Sequence, residues 1–373
     1  MSKSTWRGAV EILMAFLLCF CFFRMLDRGE ERLEYEELGV KNVILYIGDG
    51  MGPEHVRAAG LYKNGEAGRL FFETFAYQGL AGTNNVKGEV TDSAASATAL
   101  ATGVKVNNGV ISVARPGDGR ELKTVLEYFK EAGRSTGLVT TVPMFHATPA
   151  GFGAHESSRN NKDAIIDDYL TQTRPEVLLG GGKNGITPAE ALAAGYVVVE
   201  TAAGMEELDT EEVERVSGQF GGEIPYEIEG VGDLPHLSEM TGTALRILDN
   251  NTEGFFLMVE GGKIDWAGHD NDIARVVGET VEFAEAVEAG WEWARGRCDT
   301  LIVVTADHET GGLGLREIEG KAKLVEVSWG TGGHTGTEVP VYAWGAGADR
   351  FGGRYENTEI FEKIMGAAGM EKK

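Results

Sequence analysis

Short apolar runs alternate with longer amphipathic stretches along the chain from Asn42 onwards. The apolar runs are continuous, which is typical of strands buried on both faces of a parallel sheet. They predict strands at Val43–Ile47, Thr136–Val142, Val177–Leu179, Tyr196–Val199, Phe255–Val259, Leu301–Thr305 and Val341–Trp344. Apolar residues at helical spacing predict helices between them, at Leu122–Ala132, Asp163–Thr171, Leu237–Asp249, Asp272–Ala294 and Thr358–Ala367. This pattern predicts an α/β three-layer sandwich, in which a central, largely parallel β-sheet is flanked by helices on both faces.

One stretch of the chain does not follow this alternation. Thr201–Leu234 is acidic and rich in glycine, and we expect it to lie at the periphery of the domain. No internal repeat or low-complexity linker interrupts the rest of the pattern. Residues 39–373 are therefore expected to form one α/β catalytic domain.

The N-terminal segment has a different composition. Lys3 and Arg7 precede Ile12–Phe23, an uncharged apolar run whose length suits a signal-peptide core and is short for a membrane span. No pair of small residues marks a cleavage site after it, so cleavage and retention as an anchor both stay open. Arg28–Leu38 is charged and is expected to be a tether. We therefore expect residues 1–38 to be a signal peptide or membrane anchor plus tether, and the protein to be exported to an extracellular, periplasmic or cell-surface position.

The charge balance restricts the possible partners. The 373-residue chain has 58 acidic and 34 basic residues, a formal net charge of −24, which argues against nucleic-acid binding. An anionic substrate would require bound cations to reverse the local field. Cys298 is the only cysteine outside the N-terminal apolar run, so no disulfide within the domain is expected.

Acidic residues follow several of the predicted strands directly. Asp49 comes after the first strand, Glu260 after Phe255–Val259, and Asp307 after Leu301–Thr305, each with glycine or another polar residue nearby. In parallel sheets, ligands bind beyond the carboxyl ends of the strands. A single such ending would be ordinary turn chemistry, but the recurrence indicates a site at this edge.

Histidines add metal-ligand chemistry to these segments. Asp265 and His269 are spaced i, i+4, which places both on one face if the segment is helical. His308 follows Asp307 directly, and His334 lies in a glycine-rich loop. Mixed imidazole and carboxylate ligands favour zinc and its neighbours over calcium.

A serine begins an alanine-rich segment that is predicted to be a helix. In Asp92-Ser93-Ala94-Ala95, the helix N-terminus would direct its amides and dipole at a group bound to Ser93. An N-cap role for Asp92 or Ser93 is compatible with a nucleophilic role for the serine. No Gly-x-Ser-x-Gly elbow is present, so metal coordination would have to activate the serine.

Taken together, these segments resemble the alkaline phosphatases. The motifs that carry the resemblance are Asp49–Gly52, Thr91–Thr98, His146–Ala150 with Ala154–Arg159, Val259–Gly261 with Asp265, Thr305–Glu309, and His334–Gly336. Their order is that of the family, and as a set they are specific, whereas any one alone would be weak. The short interval between Asp307 and His334 indicates a compact member without a large crown insertion.

The resemblance implies hydrolysis of phosphate monoesters to alcohol and inorganic phosphate through a phosphoserine at Ser93. It implies two zinc ions and a third ion, usually magnesium. The first zinc would be held by Asp265, His269 and His334. The second would be held by Asp49, Asp307, His308 and the Ser93 oxygen. The third would be held by Asp49, Thr148 and Glu260.

Arg159 would clamp the phosphate and Asp92 would orient that arginine, as the same resemblance implies. The family is also commonly homodimeric, which makes a homodimer the expected assembly. His146 stands where the best-known bacterial pattern has an acid, and Trp266 stands where it has lysine. Both are expected beside the substrate phosphate, and they leave the third ion open between Mg²⁺ and Co²⁺ or Zn²⁺.

Other functions stay open on the sequence alone. A phosphodiesterase or another phosphotransfer enzyme of the same superfamily is the alternative, and a metal-binding surface protein without activity is the rival from another class. Gly180–Lys183 resembles part of a phosphate loop but lacks the Ser/Thr after its lysine, so we expect a structural turn. His55, His155 and His236 are expected to be packing or surface residues.

Overall fold

The computed structural model describes residues 39–182, 185–315 and 326–372. The prediction of a signal peptide or anchor falls on residues 1–38, which lie outside the described residues. Within the described ranges, no helix is long and apolar enough to cross a membrane.

A ten-stranded sheet forms the centre of the molecule. Its strands are β1 Asn42–Gly48, β2 Tyr77–Gly82, β3 Ser135–Pro143, β4 Val177–Gly181, β5 Val197–Val199, β6 Val216–Gln219, β7 Phe255–Gly261, β8 Thr300–Ala306, β13 Val339–Gly345 and β14 Gly353–Glu356. They lie in the order β14-β2-β13-β8-β1-β7-β3-β4-β6-β5. Strand β13 runs antiparallel to both of its neighbours, and the other strands pair in parallel where they adjoin one another. Two small two-stranded sheets pair β9 Glu309–Thr310 with β12 His334–Thr335, and β10 Leu313–Leu315 with β11 Val327–Trp329.

Helices cover both faces of the sheet. Their bounds are α1 Pro53–Asn64, α2 Ser93–Thr102, α3 Val125–Glu131, α4 Ala147–Gly153, α5 Lys162–Asp167, α6 Pro188–Ala193, α7 Ala202–Glu206, α8 Leu237–Leu248, α9 Lys263–His269, α10 Ile273–Ala294 and α11 Thr358–Ala367. The long helix α10 packs against α1, α8 and α9, whereas α2 packs against α4 and α11 in a separate group. The predicted α/β three-layer sandwich is confirmed.

The seven strands predicted from apolar runs are all present. Most of them lie inside the sheet and are buried on both faces, so they read as continuously apolar, whereas β5 lies at the sheet edge and is partly exposed. Every residue of β1, β7 and β8 is buried, and these strands lie side by side in the middle of the sheet. Helix α3 begins three residues later than predicted, at Val125, because Thr124 and Glu127 form a capping box there. The helix predicted to reach Thr171 continues past α5 as a π-helical segment, Asp168–Gln172.

The expectation that Thr201–Leu234 is peripheral is wrong for part of that stretch. Strand β6 lies within it and inserts between β4 and β5, with all four of its residues buried. Its sequence, Val-Ser-Gly-Gln, has too little apolar character to be detected from hydropathy. Strand β2, which contains glycine and polar residues, was missed for the same reason.

Candidate metal and phosphate site

Three neighbouring strands bring their carboxylates to one edge of the sheet. Strand β1 lies between β8 and β7, with Ile47 opposite Glu260 and Gly48 opposite both Ala306 and Gly261. Asp49 and Asp307 therefore leave adjacent strands at the same level, and Glu260 lies beside them in β7. The three side chains are buried. The sequence predicted this edge as a site, and the sheet order explains why these acids converge.

Ser93 is the first residue of α2, as the alanine-rich segment predicted. The Asp92 side chain caps this helix by accepting from the amide of Ala95, 3.0 Å away. The Ser93 side chain is buried, and its Oγ lies 3.3 Å from Nε2 of His308. The hydroxyl is thus held at the positive end of a helix and against the strand-end cluster.

Asp265, His269 and His334 form the first donor set, which is partly exposed at His269 and His334. Asp265 and His269 lie on α9, and their carboxylate and Nε2 atoms are 3.4 Å apart. His334 Nε2 is 3.4 Å from Asp265 and 3.1 Å from His269 Nε2. The outer ring nitrogens contact backbone carbonyls, of Gly332 for His269 and of Thr91 for His334. These contacts direct both Nε2 atoms inward, as metal-binding histidines require.

Asp49, Asp307 and His308 form the second donor set, which is fully enclosed. His308 Nε2 lies 3.4 Å from Asp49 and 3.3 Å from Asp307. Asp307 Oδ1 accepts from the amides of Gly50 and His308, whereas its Oδ2 and the Oδ1 of Asp49 have no hydrogen-bond partner. Buried carboxylate oxygens without a partner are costly, and a cation at this position would satisfy them.

The third donor set lies behind Asp49. Thr148 Oγ1 is 3.5 Å from Asp49 Oδ2, and ligand atoms of Asp49, His146 and Glu260 lie within 4.8 Å of one another. Glu260 accepts from Thr140 Oγ1 at 2.5 Å, and its Oε1 has no partner. The structure therefore places His146 among the potential ligands of this third position as well as beside Arg159.

Arg159 lies beside the start of the helix that carries Ser93, where it contacts Asp92. One guanidinium nitrogen donates to Asp92 Oδ2 at 3.2 Å, and another lies 3.2 Å from Nε2 of His146. Asp92 is itself fixed by the amides of Ala95 and Gly109. Trp266 stands edge-on to His146, with ring centres 6.0 Å apart. The residues assigned to phosphate and substrate binding therefore form one connected group.

Burial and mutual repulsion dominate the electrostatics of the inner carboxylates. Burial raises the pKa of Asp307 and that of Glu260 to about 7. Burial and the charge of Asp307 raise the pKa of Asp49 well above its usual range. Burial and the nearby His334 lower the pKa of His308 to about 3, so its imidazole is neutral. Several acids and a neutral imidazole enclosed together form a donor set that suits divalent cations.

The outer donor set has the opposite character. A hydrogen bond to Asp265 raises the pKa of His269 to about 9. Burial acts to raise the pKa of Asp265, but hydrogen bonds from His269 and His334 hold it well below the usual range. A negative carboxylate thus stays between two imidazoles at neutral pH.

Sequence reasoning missed several residues that orient this site. Thr310 Oγ1 donates to Asp265 at 2.5 Å and lies 3.3 Å from Nδ1 of His308. Glu309 accepts from the amides of Gly312 and Leu313 and from the hydroxyl of Thr335, which joins the two loops that carry His308 and His334. One sequence signal could have identified residues of this kind, namely a polar residue near the end of an apolar strand. Thr140 in β3 is an example, since it donates to Glu260.

The other expectations have mixed outcomes. His155 is a buried packing residue that contacts Glu127 and the Ser112 carbonyl. His55 is fully buried with both ring nitrogens unpartnered, close to Glu309. Gly180 and Gly181 belong to β4 rather than to a turn, because the strand extends beyond its apolar core.

Comparisons with known proteins agree with this geometry. The family model for alkaline phosphatase matches residues 40–197, 188–326 and 316–370. Alkaline phosphatase 3 of Bacillus subtilis (strain 168) is 35% identical over 91% of this chain and 91% of its own length. The crystal structure of a cold-active alkaline phosphatase from a psychrophilic Shewanella species is 33% identical, with a TM-score of 0.80, over 88% of this chain and 99% of that one.

A further solved structure is relevant to the third donor set. It is a His-to-Asp mutant of the TAB5 alkaline phosphatase with magnesium bound in the M3 site. It is 30% identical, with a TM-score of 0.79, over 90% of this chain and 99% of that one. The family model and the curated relative cover most of the chain, and the resemblance seen in the motifs is confirmed. The chain belongs to the alkaline phosphatase family.

Proposed function

We propose that this protein hydrolyses phosphate monoesters with Ser93 as the covalent nucleophile, flanked by two ions of the zinc class. The observation that carries the proposal is the position of Ser93 Oγ. It lies at a helix N-terminus, 3.3 Å from His308 Nε2, and the preceding residue, Asp92, accepts from Arg159. An anionic phosphate bound there would meet backbone amides, a guanidinium and two cation-binding donor sets.

The donor sets fit the ions that the family implies. Asp265, His269 and His334 would hold one ion and leave a position open, which is the usual form of a catalytic zinc site. Asp49, Asp307 and His308 would hold the second together with the Ser93 oxygen. When bound, these ions would lower the pKa of the serine hydroxyl and neutralise negative charge on the leaving group.

The third ion would be held by Asp49, Thr148 and Glu260. We equate the histidine replaced in the TAB5 mutant with His146, whose ligand atom lies within 4.8 Å of those of Asp49 and Glu260. Magnesium prefers oxygen ligands, whereas zinc and cobalt accept imidazole nitrogen. We therefore propose that a transition metal occupies this position more readily than Mg²⁺.

The chain's own residues carry the reaction in two displacements. Ser93 Oγ gives up its proton to the solvent and attacks phosphorus, the bond to the alcohol oxygen breaks, that oxygen takes a proton from the solvent, and a phosphoserine forms. Water then attacks the phosphorus in line, which releases phosphate and restores the serine. Arg159, held by Asp92, binds two equatorial oxygens, where positioning and charge stabilisation supply most of the catalysis of phosphoryl transfer.

Three broader expectations belong to the same proposal. The apolar run at Ile12–Phe23 supports export, with a cell-surface tether if it is retained. Family resemblance supports a homodimer. The net charge of −24 supports the expectation that nucleic acids are not partners.

The decisive experiment compares two substrates and one variant. The wild-type protein should turn over p-nitrophenyl phosphate and leave bis(p-nitrophenyl) phosphate nearly untouched. Labelled phosphate should be trapped on Ser93 at low pH, and Ser93→Ala should lose both the label and most turnover while it retains its metals. Faster hydrolysis of the diester would establish a phosphodiesterase, and label on another residue would refute the assignment of Ser93.

A further inference from the structure

A second group of potential metal ligands lies away from Ser93, on the helical layer that contains α10. It consists of Glu227, His236 and Glu282, which we call the peripheral triad. Glu227 begins a 3₁₀ turn, Glu227–Glu229, His236 immediately precedes α8, and Glu282 lies on α10. Two segments that are close in sequence therefore meet a third one, on α10, that lies much further along the chain.

The geometry of the peripheral triad fits a metal ion. Glu227 Oε2 lies 2.8 Å from His236 Nδ1, and ligand atoms of all three residues lie within 4.8 Å of one another. Ligands of a tetrahedral ion bound at about 2.0–2.2 Å are separated by about 3.3–3.6 Å, so small side-chain rotations would complete the site. Among the donor sets around Ser93, Asp49, Asp307 and His308 meet the same distance criterion.

Backbone amides hold the acidic side chains of this region in place. Glu282 is only 7% exposed and accepts from the amide of Ser238 at 2.8 Å. The neighbouring Glu279 is 4% exposed and accepts from the amide of Glu227, also at 2.8 Å. The Glu282 side chain and the backbone of Glu227 are thus held by hydrogen bonds, whereas the His236 side chain is 43% exposed and is held through its contact with Glu227.

The charge of this region is strongly unbalanced. Burial raises the pKa of Glu282 to about 7 and that of Glu279 to about 8, which reflects carboxylates with too little compensating positive charge. Basic side chains of the neighbouring helices pair with other acids: Lys63 of α1 with Glu285, and Arg275 of α10 with Glu229. A protonated His236 would supply one positive charge, whereas a divalent cation would supply two.

We propose that the peripheral triad binds a divalent transition-metal ion of the zinc class, in addition to the ions around Ser93. One imidazole nitrogen with two carboxylates favours zinc, cobalt or manganese over magnesium or calcium, which prefer sites made of oxygen alone. Binding releases the proton that His236 shares with Glu227, since the ion takes the Nδ1 lone pair.

The ion would have a structural effect on the region next to the active site. Tyr226 directly precedes Glu227, and Lys263 Nζ lies 3.9 Å from the centre of its ring. The same Nζ lies 5.6 Å from the ring of Trp266, which contacts His146. An ion that joined Glu227 to α8 and α10 would therefore stabilise the positions of Tyr226 and Lys263 next to Trp266.

Metal stoichiometry of the full-length protein tests the proposal. Wild type, His236→Ala, Glu282→Gln and the control Glu285→Gln are dialysed to equilibrium against micromolar zinc, and bound zinc is measured by elemental analysis. Glu285 is an exposed acid on the same helix that pairs with Lys63, so its variant controls for the general loss of a charge. Wild type and Glu285→Gln should bind about one zinc per chain more than the other two variants.

Further measurements separate this site from the catalytic one. Turnover of p-nitrophenyl phosphate at saturating substrate should be similar in all four proteins, and added zinc should raise the thermal midpoint only where the peripheral triad is intact. His236→Asn replaces the alanine variant if the latter does not fold. Equal zinc content in wild type, His236→Ala and Glu282→Gln would overturn the proposal. All four proteins keep the residues around Ser93, so a difference in zinc content between them does not depend on whether the proposed catalytic ions bind.

Discussion

Gly50 lies against both catalytic donor sets, next to Asp307 of one and Asp265 of the other, and replacing it with alanine should push them apart. Its amide donates to Asp307 Oδ1 at 3.1 Å and its carbonyl accepts from the amide of Thr310, also at 3.1 Å. Its φ is +74°, and an added Cβ would stand 2.8 Å from the Cα of Asp265 and 2.7 Å from the hydroxyl of Thr310. Backbone and side chain on both sides would therefore have to move.

The size of the effect follows from these distances. An ordinary contact begins at 3.4 Å, so Asp265 would have to retreat by about 0.6 Å from its 2.8 Å position. A left-handed alanine costs about 1–2 kcal/mol and overpacking about 1–3 kcal/mol, so Gly50→Ala should lose about 2–5 kcal/mol of unfolding free energy. Because reacting groups misplaced by about 1 Å lose about 100-fold in rate, kcat/KM should fall about 10- to 100-fold.

Gly88 is a matched control for the cost of placing alanine in a left-handed backbone conformation without a steric clash. Its φ is +76°, close to that of Gly50, and nothing lies within 4 Å of an added Cβ. Gly88→Ala should therefore lose only about 1–2 kcal/mol and keep its activity. Chemical denaturation and steady-state hydrolysis of p-nitrophenyl phosphate at saturating zinc measure both quantities. The steric argument would be refuted if Gly50→Ala kept the wild-type kcat/KM, or if both variants lost the same unfolding free energy.

Three further predictions follow from the site and its surroundings. His334→Ala should lower bound zinc by about one ion per chain, since three protein ligands hold that ion, and unchanged stoichiometry by elemental analysis would contradict this. His146→Asp should increase activation by magnesium in a titration of the metal-depleted enzyme, because a carboxylate replaces a nitrogen that magnesium binds poorly; an unchanged activation curve would show that His146 is not near the third ion. The pair between His155 and Glu127 should make stability depend on pH. Burial acts to lower the pKa of His155, but the hydrogen bond to Glu127 raises that pKa above the ordinary 6.5. The contribution of His155 to the unfolding free energy is therefore complete below pH 6.5 and is lost as the pH rises through the raised pKa. Burial acts to raise the pKa of Glu127, but His155 lowers that pKa below the ordinary 4.5. The contribution of Glu127 to the unfolding free energy is therefore lost as the pH falls through the lowered pKa. Glu127→Gln should therefore destabilise the protein more at about pH 6 than at about pH 9, and equal losses in denaturation at the two values would exclude the ion pair.

Much of the site could be predicted because its parts lie at places that local sequence marks. Strands β1, β7 and β8 each have a continuous apolar run at their centre, so their ends, and the acids at or just after those ends, are visible in the sequence. Ser93 follows an aspartate that caps the helix, and that arrangement depends on the spacing of neighbouring residues alone.

Other features depended on contacts between distant segments. Arg159 meets His146 through the loop that follows α4, and Thr310 reaches Asp265 across 45 residues of chain. Strand β6 is recognisable only from the two strands that enclose it, since its own sequence is short and polar. Hydropathy reports burial along one segment and carries no information about which segment lies opposite.

The peripheral triad shows the same limit most clearly. His236 alone reads as a surface histidine, and Glu227 and Glu282 are two of the 58 acidic residues. The sequence by itself determined the fold class, the strand ends and the serine at its helix, because backbone preference and side-chain hydropathy act over neighbouring residues. Only the tertiary structure decided which acids and imidazoles share a site, because ligand distances depend on how strands and helices pack, and packing joins residues far apart in the chain.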